Sequence, residues 1–346
     1  MYRALRFGRH VDLIITDNHS FRAEPPSMDA FTPEEFRWVI PQEVVEILDS
    51  GRVYDGGRPP DTIRYAGRDV PNPRKGAPPQ SSLGREQKAW FLEQLGSSTA
   101  TWKIWGHSFG TLEWRSDYQN LPEGLGPRWP GQGYAMFNGG FFVERAEILD
   151  VVRSRGITGF AVVAGDKHSF WAGMVSKSLP PRPFEPLGVE FITGSISAPG
   201  IFEAAEYTIP KNDPLRALYL HDRPDGTVGP AMNMVALHGV RSALTLQKTG
   251  DIDQALAQSN PEVAPHLSFV DLGGHGYATV RASAEGLETE FVGIPRPLER
   301  SPRPDGGPLA YRVIHRVAPW RAGEPPRMVQ EVVEGTPPLA LKSKPG

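Results

Sequence analysis

Cysteine is absent from the 346-residue chain. That excludes disulfides, thiolate zinc sites and thiol nucleophiles, and it leaves the redox compartment unread. An excess of one charge is lacking too: 37 Lys and Arg face 40 Asp and Glu, a net charge of −3. With no basic face implied, nucleic acid or an anionic membrane is not the expected partner. No apolar run approaches the roughly 20 residues of a membrane helix. The opening MYRALRFGRHVDLIITDNHSFR has no long apolar core and no small-residue cleavage site, so it does not read as a signal peptide. The chain therefore carries no address of its own and reads as cytoplasmic. What it does have is an ordinary apolar fraction, 39%, enough for one large domain or two smaller ones.

Apolar runs and helical stripes alternate along the first half. VDLIIT, Val11 to Thr16, is a β-branched strand. FTPEEFRWVIPQEVVEILDSG reads as one or two helices, with Thr32 capping the first ahead of Pro33 and Glu34. The Gly- and Pro-rich stretch that follows reads as a long irregular insertion at about 51–82. Ala89, Phe91, Leu92 and Leu95 form a helical stripe that Gly96 would end; TWKIW then reads as a strand stopping at Gly106-His107. FFVERAEILDVVRSRG is a helix with Phe142, Ala146, Leu149 and Val152 on one face, and ITGFAVVAG is the next strand. This β-α-β-α-β order predicts a parallel sheet with crossover helices, an α/β fold. After about residue 186, VEFITGSISAPG, HLSFVDLGGHGYATVRAS, LETEFVGI and AYRVIHRV suggest an antiparallel meander, and TPPLALKSKPG a loose tail.

Three strands end in polar clusters: TDNHS at 16–20, GHS at 106–108 and GDKHS at 165–169. Ligands of open parallel sheets bind outside the carboxyl ends of strands. Neighbouring strands would give Asp17, His19, His107, Asp166 and His168 a common mouth. Their oxygen and imidazole donors suit hard or borderline metals. On an extended backbone Asp166 and His168, two apart, face the same way. Two metals about 4 Å apart could clamp a phosphoryl group and generate hydroxide. Each residue also has a plainer reading. Gly-Asp-x-His can be a turn with a capping Asp and a surface His. Asp17 can pair with Arg22. His107 can be a hydrogen-bonded rim residue. His275 in GGHGY reads as a turn residue, His238 as a core histidine, and Trp102, Trp105, Phe170 and Trp171 as core.

Taken in order, several segments resemble the PhoD-like alkaline phosphatases, a metallophosphoesterase family, over roughly residues 1–285. YRALRFGRHVDLIITDNHSFR is similar to that family's Tyr-Arg start, strand and Asp-Thr-Arg end. LGREQKAWFLEQLGSSTATWKIWG resembles its Gln-x-x-Trp-Leu helix and Trp-Lys strand, and GDKHS its Gly-Asp-x-His-Ser turn. The resemblance implies a sandwich of β-sheets flanked by helices, incomplete at the N-terminus. Residues 1–335 would be one phosphatase domain, and 336–346 a flexible tail. It implies a two-metal phosphoesterase of phosphate monoesters or diesters, with calcium and iron as its metals. By the family's turn Asp166 and His168 would be metal ligands; from their places at the neighbouring strand ends, Asp17 is taken as a third ligand and His107 and His19 as catalytic. The resemblance also departs from the family. The half of the family that supplies an early Asp, a Cys and a bridging Asp with a Tyr has no counterpart here. His107 stands for a usual Asn, and Asp17-Asn18-His19 for Asp-Thr-Arg. Hence a second expectation stands beside the first: an inactive remnant acting as an interaction module, or a chain needing a partner chain to complete its site. Family members are often secreted.

Overall fold

The computed structural model of the protein describes residues 1–24, 30–31, 39–126, 128–135, 141–303 and 308–339. The main sheet has seven strands: β1 (Arg3–Phe7), β2 (Val11–Ile15), β3 (Trp102–Phe109), β4 (Phe160–Gly165), β5 (Phe170–Ser176), β6 (Pro186–Ile192) and β7 (Leu267–Asp271), in the order β1-β2-β3-β4-β6-β5-β7. The expected parallel block is there: β2 pairs β3, β3 pairs β4 and β4 pairs β6, all parallel. β1, β5 and β7 add antiparallel pairs on either side. β4 is a continuous apolar run because both its faces are covered. Phe160 and Val162 meet helices on one side, while Ala161 and Val163 meet a second sheet on the other.

That second sheet is an antiparallel meander, β8 (His275–Ala282), β9 (Leu287–Ile294), β10 (Tyr311–Val317) and β11 (Met328–Gly335); of the segments expected there, VEFITGSISAPG instead enters the main sheet, its VEFI in β6, parallel to β4. Phe291, Tyr311 and Val313 from it share one core with Phe170, Phe191 and Phe269 of the main sheet. The opposite face of the main sheet carries α2 (Arg85–Ser97) and α3 (Phe142–Ser154), whose Phe91, Leu95, Ile148, Leu149 and Val152 pack on Ile14, Trp105, Phe160 and Val162. Further along that face lie α4 (Ile201–Thr208), α5 (Ala231–His238) and α6 (Val240–Thr249). The molecule is thus layered small sheet, large sheet, helices.

Several expectations are corrected. Residues 51–82 are not irregular throughout; they hold a short hairpin, Thr62–Tyr65 with Arg68–Pro71, whose Ile63 and Tyr65 bury against α1 (Gln42–Ser50). Of the one or two helices read in 31–51, α1 is present; Thr32, Pro33 and Glu34 lie outside the described residues. Gly96 does not end α2, which runs to Ser97. β3 continues through Gly106-His107 to Phe109, because Gly106 still pairs Val163 and Phe109 pairs Gly165 after a bulge. HLSFVDLGGHGYATVRAS does form two strands, but in different sheets, the chain crossing between them at Gly273-Gly274. Residues 336–339 are partly docked: the Pro338 carbonyl accepts from Asn233 Nδ2 at 2.7 Å and Leu339 packs on the core.

Candidate functional site at the strand ends

Because β2, β3 and β4 are parallel and in register, their carboxyl ends lie along one rim. Ile15 pairs Gly106, and Gly106 pairs Val163. Thr16 then donates its backbone N–H to the Gly106 carbonyl at 3.0 Å. TDNHS and GDKHS therefore follow β2 and β4, while GHS lies inside the end of β3 between them.

The Gly165–Ser169 segment is a turn. Asp166 has φ +63° and His168 φ +48°. The extended backbone expected for this pair is therefore not what holds it. Left-handed backbone is uncommon for residues other than glycine, though Asp and His tolerate it better than most. Between them Lys167 is buried while both neighbours are exposed. Its ammonium donates to the Leu112 carbonyl and sits 5.0 Å over the Trp171 ring. Burial depresses its pKa to about 8, partly offset by Glu190 and Glu113. Ser169 Oγ donates to the Lys167 carbonyl at 2.6 Å and accepts from Trp171 Nε1 at 2.7 Å. So the lysine points inward and is latched, and its two neighbours are turned out at the rim. The His168 ring lies 2.7 Å, through Nδ1, from the Pro199 carbonyl. A carbonyl only accepts, so Nδ1 carries the proton and a neutral ring keeps Nε2 as its lone-pair nitrogen.

His107 is different in kind. It is buried, its ring tilted against those of Trp105 at 4.4 Å and Phe109 at 4.9 Å. Trp105 Nε1 donates to Thr16 Oγ1 at 2.9 Å, and the Thr16 hydroxyl lies 3.0 Å from His107 Nδ1. Burial pushes the imidazole pKa down to about 3. It faces a small cavity under α3, about 20 Å³ and so room for one water, shared with Phe141, Glu144 and Arg145. Asp17 is held down at about pKa 2 by hydrogen bonds from the Met1 amine and from Ser20; the pairing with Arg22 gives way to these, and the Arg22 N–H closes the turn on the Asn18 carbonyl at 2.8 Å. His19 is exposed on that turn. Among the described residues no three His, Asp or Glu side chains form a metal-holding group, so Asp17 does not join Asp166 and His168 in one. A cleft of about 430 Å³ lies at the other end of β4 and β6, by Ile157, Pro186 and Trp320.

Three residues at this rim were not among the expected ligands or catalytic groups. Asn18 is fully buried, and neither end of its amide has a partner. Pro199 supplies the carbonyl to His168, and Glu203 supports that loop. Only the Gly-Ser texture before Pro199 hinted at them. His275 is no turn residue: it opens β8, buried, with Nε2 3.0 Å from Glu203. His238 is buried in α5, its Nδ1 2.9 Å from Ser259 Oγ, as a core histidine should be.

A family model for PhoD-like phosphatases matches residues 1–291. The chain belongs to the PhoD-like phosphatase family. A curated relative, alkaline phosphatase D of Bacillus subtilis (strain 168), is 25% identical over 154 residues, covering 44% of this chain and 24% of that protein. A solved structure described as PhoD superposes with a TM-score of 0.52 at 17% identity, over 97% of this chain and 44% of its own. At that identity the likeness speaks for the fold: a mixed α/β architecture of sheets and helices shared with PhoD. The PhoD-like chain spans a quarter to under half the length of these relatives.

Proposed function

We propose that the chain is a phosphoesterase whose reacting phosphate meets the 165–169 turn, with Asp166 and His168 as donors to a metal ion. The single observation behind this is the turn itself. Two metal-donor side chains are forced outward by left-handed backbone, at the carboxyl edge of a parallel sheet, in a chain of a phosphatase family. The frame would be the metallophosphoesterase sandwich, with residues 1–335 as one domain and 336–346 as its tail.

The donor chemistry, one carboxylate and one imidazole, suits iron, with calcium served by the carboxylate alone. Two donors do not close a six-coordinate shell, and among the described residues no third His, Asp or Glu completes the group. These residues therefore fit one edge of such a site and not the whole of it. The remaining donors would come from a second chain. Among the chain's own groups, His107 is held neutral by burial, which suits it to orienting a phosphate oxygen or a water and not to acting as an acid near pH 7. His19 and Asp17 stay candidates at the same rim.

The test is hydrolysis of p-nitrophenyl phosphate and of bis(p-nitrophenyl) phosphate, with calcium and iron supplied and metal content read by mass spectrometry. His168→Ala and Asp166→Asn are expected to abolish metal-dependent turnover while circular dichroism stays unchanged. Turnover that survives His168→Ala removes this reading.

A further inference from the structure

The peptide unit between Pro199 and Gly200 is held at both ends. Its carbonyl accepts from His168 Nδ1 at 2.7 Å. Its N–H donates to Glu203 Oε2 at 2.8 Å. Glu203 is 8% exposed, and its other oxygen takes His275 Nε2 at 3.0 Å and Arg296 Nε at 2.5 Å. Arg296 reaches on to Glu206 at 2.8 Å. The loop is also tied to β8, where the Gly276 N–H donates to the Ser195 carbonyl at 2.7 Å. It lies on the turn as well: a methyl placed on Gly200 would sit 3.4 Å from the His168 carbonyl.

We propose that Glu203 is a positioning residue for His168, acting through the Pro199–Gly200 peptide group. A carboxylate on the N–H of a peptide polarises that peptide and makes its carbonyl a better acceptor. The stronger acceptor fixes the His168 proton on Nδ1, orients the ring, and frees Nε2 to donate its lone pair. Ligating histidines are commonly held this way by a partner on their other nitrogen; here the partner is a backbone carbonyl backed by a buried acid. Glu203 also stands at the third position of α4, where a glutamate commonly bonds the N-cap N–H. A cap by itself would stabilise α4 and leave the imidazole alone. What separates the two roles is that this N–H belongs to the peptide whose carbonyl takes the histidine proton. His275 and Arg296 serve the arrangement by holding the Glu203 charge in place.

The tautomer part of this inference stands alone; its use in metal binding rests on the proposed role of His168. The experiment is ¹⁵N NMR of the full chain, metal-free, labelled at histidine, at a pH where the rings are neutral. Manganese binding by electron paramagnetic resonance follows on the same samples. The unsubstituted chain should show His168 protonated at Nδ1. Glu203→Ala, and Glu203→Asp, which pulls the carboxylate back by one methylene, should move proton population to Nε2. Both should weaken manganese binding about tenfold. Glu203→Gln, which keeps an acceptor in place, should restore the Nδ1 form. If both shortened variants fold and hold His168 at Nδ1 as firmly as the unsubstituted chain, the positioning role is wrong and Glu203 is a helix cap. If His168→Ala binds manganese as well as the unsubstituted chain, the metal role fails instead, whatever the tautomer result.

Discussion

At the scale of single residues, the rim depends on one buried lysine. Lys167 brings an ammonium into a region that also holds Glu190 and a Glu113–Arg145 ion pair. Glu190 accepts the Thr111 N–H at 2.6 Å and the Thr111 hydroxyl, and burial raises its pKa. Taking away the lysine charge leaves the Leu112 carbonyl without its ammonium and Glu190 without the cation that most offsets its burial. Breaking a buried charge arrangement costs about 3 kcal/mol or more. Lys167→Met should therefore lower stability by about 3 kcal/mol in urea denaturation, and it should relax the flanking left-handed residues. Hydrogen exchange at the Asp166–Ser169 amides reads that second effect. An unchanged midpoint with unchanged exchange would show that the lysine does not brace the turn.

His315 offers a residue-scale test of a different kind. It is fully buried on β10 between Phe191, Phe269 and Phe291, and burial lowers its pKa to about 3. A histidine of folded pKa 3 and ordinary unfolded pKa near 6.5 binds fewer protons when folded. Its neutral burial is thus fully tolerated above about pH 6.5, and stability is lost as pH falls from there toward 3. Replacing it by phenylalanine removes that proton uptake. His315→Phe should gain about 2 kcal/mol on the unsubstituted protein between pH 7.5 and pH 5. Parallel pH profiles of the two proteins would contradict this.

At the scale of elements, β4 is the one the site hangs from, and its entry is set by Gly159. That residue has φ +64°, and a Cβ there would lie 1.9 Å from the Thr101 carbonyl, just before β3. Left-handed strain and a backbone collision act together, so Gly159→Ala should cost about 3 kcal/mol and shift the β3–β4 pairing. A loss under about 1 kcal/mol would mean that the strand entry yields more readily than its packing implies. The strands and helices of this block were legible because periodicity and β-branching are local signals: VDLIIT, the α2 and α3 stripes and FAVVAG all lie where the sequence put them. Two failures had local causes as well. The 51–82 stretch is dense in Gly and Pro, which hides a hairpin closed by Ala66-Gly67, both at positive φ. β3 ran past a Gly-His that looked like a stop, since its pairing with β4 outweighs the local signal.

At the scale of the whole molecule, two histidines are buried neutral, His107 and His315, each with its pKa driven to about 3. Asp49 works the other way: burial raises its carboxyl to about 7, so folding holds a proton there that the unfolded chain releases above pH 4. The histidines lose stability as pH falls from 6.5, whereas Asp49, with the buried Glu190 and Asp271 whose carboxyls are also shifted up, loses it as pH rises from about 4. Asp49→Asn should therefore gain melting temperature on the unsubstituted protein between pH 5 and pH 7, as calorimetric scans at the two pH values would record; an equal change in both proteins would contradict it. A metal that binds only the folded chain should raise the melting temperature with the logarithm of its excess over the dissociation constant, which makes calcium and iron titrations by scanning calorimetry a test of whether the chain binds either metal.

What the sequence by itself determined was the parallel block, the later meander, and the appearance of polar clusters at the ends of three strands. These follow from residue type and spacing, which act over a few positions. Only the tertiary structure decided what the clusters do. Asp17 is taken up by its own turn, and His107 is sealed in a neutral pocket. Asp166 and His168 are turned outward by a lysine that pulls in the opposite direction. Glu203 meets His168 through a peptide 31 residues further along the chain from the histidine. Burial and hydrogen-bond partnership are set by contacts between distant segments, and a linear pattern carries no record of which of its polar groups will be enclosed.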